Sequence, residues 1–449
     1  MWKFKKIALP AAAWAAIAAS AFAVEPQSPS RSVQRTVLRQ MGSVKAERRE
    51  AGIATLKEYP TAAAARLLTE HGLTSEFDDV RHASYRLLQD ESDSQEVCDV
   101  LLDKVQKSFR KGTAGPAACG MLGALLSSEL EPVEQKTAEL LGQAARQPGA
   151  GWGILTSLAD EFGLQGGDRS VKSLVKLSEQ PWFDRVFAAR RAIVQALARI
   201  EEPEAIDALI SLLARAQGEV RGDIARRLTA VSGKPYALDA DRWREWRKAS
   251  RDSDSSYSSR ELRPAPVYAP LVAAAPSHYY GLPIYAQRLV FVLDTSGSMS
   301  GLRLAAAQRE LLQAIGSLPA GVGFNVLVFN QGVVAWQEQL APASPENKAL
   351  AAAFVMSQHA FGATWTYDAL AAAFDFDAES IYLLTDGEPC GGTITNPAAI
   401  VAVLAKLNHA RRVTINSIGV GVGLPGSPFD VFLQALAVQN YGEYRRVNQ

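Results

Sequence analysis

The amino-acid sequence predicts two domains of different fold class: an all-α solenoid-like domain, and after it an α/β domain with a doubly wound, mostly parallel sheet. The first prediction rests on residues 30–250, where Ala, Leu, Glu and Arg dominate and short amphipathic segments alternate with turns. The second rests on residues 288–449, where apolar strand-like runs alternate with amphipathic helices. Between them, residues 251–287 are rich in Ser and Pro and have no period, which is typical of a linker.

The composition allows a large apolar core and gives the chain no net charge that would attract nucleic acid. The chain has 449 residues, enough for two or three domains, and 48% of them are apolar. Lys plus Arg and Asp plus Glu number 47 each. Because this balance gives no overall positive field, we expect no nucleic-acid partner.

Residues 1–23 have the features of a secretory signal peptide. Three lysines among the first six residues precede an Ala-rich apolar stretch, which ends in Ala-Phe-Ala at 21–23. We expect cleavage after Ala23 and export to the periplasm, the cell surface or the medium, with no membrane span in the mature protein. An uncleaved anchor is the alternative, but the stretch of about 17 residues is near the lower limit for a span and contains Pro10.

The helical region is most regular over residues 182–233. Three amphipathic segments, at 182–200, 203–216 and 219–233, each end at a turn signal that contains Gly, Pro or paired Glu. Short amphipathic helices cannot bury their apolar faces alone, so they must stack. The phrase EEPEAIDALISLLARAQGEVRGDIARRL resembles HEAT-type repeats; an irregular helical domain is the alternative. DRWREWRK at 241–248 is interpreted as a final turn that closes the stack.

The three cysteines do not indicate a disulfide scaffold, since their number is low and odd. Cys98 and Cys119 form either a disulfide or two buried thiols, and the sequence leaves this open. Cys390 is interpreted as an incidental free thiol rather than a redox-sensitive one.

The α/β region divides into alternating elements. Two continuous apolar runs, RLVFVLD and SIYLLTDG, indicate strands that are buried on both faces. The predicted strands cover residues 288–294, 323–330, 333–340, 380–387, 412–423 and 442–448. The predicted helices cover residues 303–318, 346–358, 366–374, 396–410 and 427–440.

Three segments bring small oxygen-bearing side chains to one edge of this sheet. Asp294, Ser296 and Ser298 follow the first buried strand, Thr364 precedes a helix, and Asp386 ends the second buried strand. In such a sheet, ligands bind at the carboxyl ends of the strands. We therefore predict that these five residues share one site.

Two carboxylates with several hydroxyls form a hard-oxygen donor set. This chemistry suits Mg²⁺ or Mn²⁺, and Ca²⁺ less well, whereas zinc prefers nitrogen and sulfur. Because only two donors are charged, an ion held here would remain electrophilic and could accept a carboxylate from a partner.

The same motifs carry a family resemblance. FVLDTSGSM contains Asp-x-Ser-x-Ser, Gly-Ala-Thr contains Thr364, and Thr-Asp-Gly contains Asp386. In this respect the domain at 288–449 resembles a von Willebrand factor type A domain. The resemblance covers about a third of the chain and implies a Rossmann-like fold with a metal-ion-dependent adhesion site. It assigns Asp294, Ser296, Ser298, Thr364 and Asp386 to the metal.

We predict a binding module rather than an enzyme. The five histidines form no close pair, no Walker loop occurs, and no base is evident beside the predicted ion. The leading hypothesis is an exported, metal-dependent protein-binding module whose ion takes an Asp or Glu from a partner protein. One alternative is a helical-repeat scaffold that the C-terminal domain only tethers or assembles. The other is a metal-assisted hydrolase.

Overall fold

The computed structural model describes residues 27–251 and 274–447. The predicted signal peptide therefore lies outside the described residues, as does most of the predicted linker. In the described ranges, no helix combines the length and the apolar character that crossing a membrane requires.

Residues 27–251 are all-α, and most helices contact the next helix and the one after it, which is the packing of a solenoid-like stack. The helix at Ala62–Leu67 continues into a wider π-type turn at Leu68–Gly72. The helices are α1 Arg31–Met41, α2 Ala46–Leu56, α3 Ala62–Leu67, α4 Asp78–Asp90, α5 Gln95–Arg110, α6 Pro116–Leu126, α7 Glu131–Ala145, α8 Ala150–Gln165, α9 Gly167–Ser178, α10 Phe187–Arg199, α11 Pro203–Arg215, α12 Glu219–Ser232 and α13 Ala240–Arg251.

The helix predicted over 182–200 begins later than expected. Residues 181–185 form a turn, and α10 starts only at Phe187. The turn buries the rings of Trp182 and Phe183, and the guanidinium of Arg215 lies 5.0 Å from the centre of the Phe183 ring. The two aromatic side chains are thus part of the core, and they reach it from a turn and not from a helix.

The last helix closes the stack around a buried indole. Trp243 is fully buried and makes edge-to-face contacts with Tyr236 and Trp246, at centroid distances of 5.0 and 5.7 Å. Its Nε1 donates to the carbonyl oxygen of Ala237 at 3.0 Å. The helix that carries it, α13, packs on α11.

All three cysteines are free thiols. Cys98 and Cys119 are buried and Cys390 is exposed. Of the two possibilities for Cys98 and Cys119, the structure has the unpaired one, and burial raises the pKa of the Cys119 thiol to about 12.

A short hairpin precedes the main sheet and covers part of one face. Its strands are β1 Ser277–Tyr279 and β2 Leu282–Ile284. The Tyr279 ring packs edge-to-face on Phe291 and Tyr382, with centroids 5.3 and 6.2 Å apart. The aromatic segment before residue 288 is therefore built into the core of the C-terminal domain.

The main sheet is mixed and mostly parallel. Its strands are β3 Arg288–Asp294, β4 Gly323–Phe329, β5 Val333–Ala335, β6 Ala341–Pro342, β7 Ser380–Thr385, β8 Thr414–Val420 and β9 Tyr444–Val447. Their order in the sheet is β5-β4-β3-β7-β8-β9, with β6 also paired to β4; β5 and β6 are antiparallel to β4 and the other pairs are parallel. Only the first part of the strand predicted at 333–340 pairs.

Helices cover both faces of this sheet. The helices are α14 Leu302–Ser317, α15 Pro345–Met356, α16 Thr366–Ala373, α17 Pro397–Asn408 and α18 Pro428–Val438. Along β3, Phe291 and Leu293 join the core beneath α14 and α15, while Val290 and Val292 join the core beneath α16, α17 and α18. The predicted fold class, a doubly wound mostly parallel sheet after an all-α domain, is confirmed.

The helical domain docks on the amino ends of the sheet's central strands. Arg191 on α10 donates to the carbonyl oxygen of Arg412 at 2.8 Å and to Thr414 Oγ1 at 2.6 Å, at the start of β8. Glu219 on α12 accepts from Ser380 Oγ at 2.6 Å, at the start of β7. The opposite, carboxyl edge of the same strands carries the predicted site.

Candidate metal centre

The first loop of the site is held by the buried carboxylate of Asp294, the last residue of β3. Its Oδ1 accepts from the backbone N–H of Ser296 at 2.7 Å, and its Oδ2 accepts from Thr385 Oγ1 at 2.5 Å. Asp294 is 0% exposed. The carboxylate is therefore fixed between its own loop and the end of β7, the strand beside β3.

A chain of hydroxyls leads from this loop to the second predicted carboxylate. Ser296 Oγ lies 3.1 Å from Ser298 Oγ, and Ser298 Oγ donates to Asp386 Oδ1 at 2.7 Å. Ser296 and Asp386 are buried and Ser298 between them is exposed, so the group has one hydroxyl-bearing residue at the surface. Four of the five predicted residues thus belong to one hydrogen-bonded group.

Thr364 lies on a separate loop. Backbone hydrogen bonds join this loop to the loop after β3 and to the loop after β7. Gly297 N–H donates to the carbonyl oxygen of Gly362 at 3.1 Å, and Cys390 N–H donates to that of Thr364 at 3.2 Å. Thr364 itself is buried. The loop after Asp386, which carries Cys390, therefore lies against the threonine loop.

Gly387 leaves a small space between the hydroxyls. A methyl group built on its backbone would lie 3.4 Å from Ser298 Oγ and 3.5 Å from Thr364 Oγ1. Both hydroxyls thus face the point that a side chain at residue 387 would fill. The structure brings together all five residues that the sequence predicted.

Burial sets the electrostatics of the deepest group. Desolvation raises the pKa of Asp294 to about 6, although the hydrogen bonds from Thr385 and Ser296 act in the opposite direction. The nearby Asp386 carboxylate adds to the rise. A positive charge beside these two acids would offset the cost of keeping both ionised.

Arg303, the second residue of α14, also belongs to the site and was not predicted from the sequence. Its Nη1 donates to Asp386 Oδ2 at 2.7 Å and to the carbonyl oxygen of Ser298 at 3.2 Å. The one signal in the sequence is weak: a cation in the first turn of a helix opposes the helix dipole and is stabilised there when an anionic group lies nearby.

The donor set fits a hard divalent cation. Two carboxylates, three hydroxyls and the space at Gly387 provide oxygen ligands and room around them. Within 27–251 and 274–447, no group of three or more His, Cys, Asp or Glu is arranged to hold a metal. A site at this edge would thus depend on its hydroxyls as much as on its carboxylates.

Comparison with known proteins agrees with this architecture. Residues 287–445 match the family model described as von Willebrand factor type A domain. The C-terminal part of the chain is therefore a von Willebrand factor type A domain, a class that typically mediates protein–protein interaction. The candidate site lies at the carboxyl edge of the sheet, where α/β sheets of this kind bind their ligands.

Particular relatives share this part of the chain. Human inter-alpha-trypsin inhibitor heavy chain H4 is 32% identical over 191 residues, which cover 38% of this chain and 20% of that protein. Bovine inter-alpha-trypsin inhibitor heavy chain H3 is 28% identical over 201 residues, 41% of this chain and 22% of that protein. The chain thus spans about a fifth of the length of these relatives.

A solved structure, described as von Willebrand factor type A from Catenulispora acidiphila, is also similar. It has 25% sequence identity and a TM-score of 0.31, and the match covers 36% of this chain and 38% of that one.

Proposed function

We propose that the protein is a metal-dependent binding module that captures an acidic residue of a partner protein. The observation that carries the proposal is the convergence of three loops on one point: Ser298 is bonded to Ser296 and Asp386, and its hydroxyl and that of Thr364 both face the space at Gly387. Asp294, buried behind these residues, would fix the first loop through its hydrogen bond from the Ser296 N–H. The bound ion, Mg²⁺ or Mn²⁺, would supply Lewis acidity toward a carboxylate oxygen.

The residues of the site have distinct tasks in this proposal. Asp294 is buried and doubly hydrogen-bonded, so it fixes the first loop and contributes negative charge. Ser296, Ser298 and Thr364 add neutral oxygen donors. Asp386 orients the Ser298 hydroxyl by accepting a hydrogen bond from it. Since only two donors are charged and the rest are hydroxyls, a bound ion would stay electrophilic toward a carboxylate of the partner.

Exposed apolar side chains around the site favour a protein as the partner. Leu302, Phe361 and Leu424 are 88%, 53% and 80% exposed. Leu302 begins the helix after the first loop, Phe361 donates its N–H to the Thr295 carbonyl oxygen, and Leu424 follows β8 at the same edge. Apolar groups beside an acid-binding point suit a partner segment with an Asp or Glu next to apolar residues.

The first experiment is thermal unfolding of the purified chain with EDTA or with Mg²⁺, Mn²⁺ or Ca²⁺. An ion that binds only the folded state at a hundredfold excess over its Kd stabilises by about 2.7 kcal/mol. We expect a rise in Tm that is lost in Asp294→Asn and reduced in Ser298→Ala. Asp368→Asn is the matched control, because Asp368 lies near the same edge but bonds to Thr393 instead.

The outcomes separate this proposal from its competitor. An ion-dependent rise that survives Asp294→Asn and Ser298→Ala would place the ion elsewhere. If no ion raises Tm, the metal proposal is wrong, and the helical stack becomes the better place to look for partner binding. If an ion binds, capture of an acidic partner must then be lost in EDTA.

We also propose that the protein is exported. The support is the lysine-rich start, the apolar stretch and the Ala-Phe-Ala site at 21–23 in the sequence. The intact mass of protein isolated from its native host, together with cell fractionation, tests this. Loss of residues 1–23 from an extracytoplasmic fraction is the expected result, and a full-length cytoplasmic protein would contradict it.

A further inference from the structure

The guanidinium of Arg303 holds a permanent positive charge next to the carboxylate of Asp386. Its Nη1 lies 2.7 Å from Asp386 Oδ2, while the other carboxylate oxygen accepts from Ser298. The Asp386 side chain is 0% exposed and that of Arg303 is 40% exposed. The guanidinium therefore lies on the solvent side of the buried carboxylate.

Neighbouring backbone fixes the position of the guanidinium. Nη1 also donates to the carbonyl oxygen of Ser298, at 3.2 Å. A side chain on Gly421, the residue after β8, would begin 3.4 Å from Nη2 and 3.5 Å from Nε. The arginine is thus held among three loops of the carboxyl edge, and glycine at 421 leaves room for it.

The charge balance of the site follows from this arrangement. Asp294 and Asp386 supply two negative charges, and Arg303 offsets one of them. A divalent ion would therefore leave the group of charges net positive, where without the arginine it would be neutral. Like charges in a partly buried site repel strongly enough to change an affinity tenfold or more.

We propose that Arg303 is an affinity-setting residue of this site: it weakens the hold on the divalent ion and keeps the loaded site attractive to a carboxylate. The inference rests on the proposed metal-dependent function. It goes beyond that function by assigning the balance between ion and acidic partner to one residue outside the five-residue motif. Arginine suits the role, because its fork of donors binds one carboxylate and can offer further N–H groups to another.

The test is the affinity of the full chain for Mn²⁺ alone, measured by calorimetry and by the electron paramagnetic resonance signal of free Mn²⁺. We expect Arg303→Gln to bind Mn²⁺ about tenfold more tightly than the unaltered chain. Arg303→Lys, which keeps the charge, should stay within about threefold of it. Arg309→Gln removes the same charge from the exposed surface of the same helix, and should leave the affinity unchanged.

The possible results are distinct. Equal or weaker binding by Arg303→Gln, when the unaltered chain binds, overturns this inference and leaves the proposed function intact. If neither protein binds Mn²⁺, both are wrong. If only Arg303→Gln binds, the inference that Arg303 weakens ion binding is supported, and the proposed metal-dependent function of the unaltered chain is wrong. A circular-dichroism melt of each variant verifies that it is folded.

Discussion

Arg190 and Glu379 form a buried ion pair across the interface between the helical domain and the sheet. Arg190 Nη2 lies 3.2 Å from Glu379 Oε1, and the two side chains are 7% and 2% exposed. Glu379 Oε2 accepts from the backbone N–H groups of Glu219 and Gln287, each at 3.2 Å. One carboxylate thus joins α10, the start of α12 and the entry to β3.

Glu379→Gln should destabilise the protein by about 3 kcal/mol, because it leaves the Arg190 guanidinium buried without a counter-charge. Chemical denaturation gives the free energy of unfolding. Asp90→Asn is the control: Asp90 pairs with Arg169 at 2.9 Å, but both side chains are more than half exposed, so its loss should cost less than about 1 kcal/mol. Equal losses in the free energy of unfolding would show that the buried ion pair stabilises the protein no more than the exposed one.

Gly218→Ala should loosen the same interface. A methyl group at residue 218 would lie 2.0 Å from Glu379 Oε2, and Glu379 cannot move away without losing its partners. Gly166 is a matched control, because its φ and ψ of 64° and −166° resemble the 70° and −152° of Gly218, while its Cβ position is open.

Both substitutions strain the backbone by about 1–3 kcal/mol. Gly218→Ala should cost at least about 1 kcal/mol more in the free energy of unfolding, since it adds the clash with Glu379. Limited proteolysis between the domains should accelerate only in Gly218→Ala. Equal free energies of unfolding for Gly218→Ala and Gly166→Ala would mean that the interface accommodates the methyl group without destabilisation.

Gly387→Ala should remove ion binding without unfolding the domain. The added methyl would be in ordinary contact with Ser298 Oγ and Thr364 Oγ1, at 3.4 and 3.5 Å, and would occupy the space that both hydroxyls face. We expect Mn²⁺ affinity to fall at least tenfold, with Tm in EDTA changed by only about 1–2 °C. Calorimetric titration measures the first quantity and a thermal melt the second.

Gly316→Ala serves as the control for that substitution, since a methyl at residue 316 meets open space. It should bind Mn²⁺ like the unaltered chain. Retention of full affinity in Gly387→Ala would place the ion away from the two hydroxyls.

Glu91 makes stability fall as pH rises. Burial raises the pKa of its carboxyl to about 8, from an ordinary value of 4.5, and neither carboxylate oxygen has a hydrogen-bond partner among the described residues. Between those pH values the folded state binds the proton more tightly than the unfolded state, so the free energy of unfolding decreases through this window. Below pH 4.5 both states are protonated, and the group has no effect.

Glu91→Gln should therefore raise Tm at pH 8.5 by several degrees and leave it nearly unchanged near pH 4.5. Thermal melts across this range measure the difference. Glu96→Gln is the control, because Glu96 is exposed on the following helix and should give a flat difference. If the difference in Tm between Glu91→Gln and the unaltered chain increased as the pH fell, the pKa of Glu91 would be lowered by folding and not raised.

The elements of the C-terminal domain could be predicted closely because their patterns are local. The apolar run at 288–294 is buried on both faces, as expected of a central parallel strand. The turn at 181–185 could not be predicted, since Trp182 and Phe183 fit the apolar face of a helix and only tertiary packing places them in a turn. Strand length at 333–340 depends on pairing with β4, which is also non-local.

The oxygen cluster was predictable because its residues adjoin strand ends in short motifs. The contact between the helical domain and the sheet was not predictable, because its charged residues belong to helices whose partners are distant in the sequence. Arg190 and Arg191 are 6% and 1% exposed, yet charged residues within an amphipathic helix are usually assigned to solvent. Their burial depends on Glu379 and Asp223, which lie far along the chain, so no local pattern records it.

The contact with the helical domain and the five-residue candidate site lie at opposite ends of the same parallel strands. This arrangement determines how the sheet would carry a mechanical load. Strands of six or seven residues separate the two by about 20 Å. Tension between something gripped at one end and the helical stack at the other therefore runs along the strand axes. The hydrogen bonds that join β3, β7 and β8 are then loaded in shear, many at once, instead of being peeled open singly. Under such a pull, the sheet transmits the load to the helical stack through the polar contacts that Arg190, Arg191 and Glu219 make at its amino end.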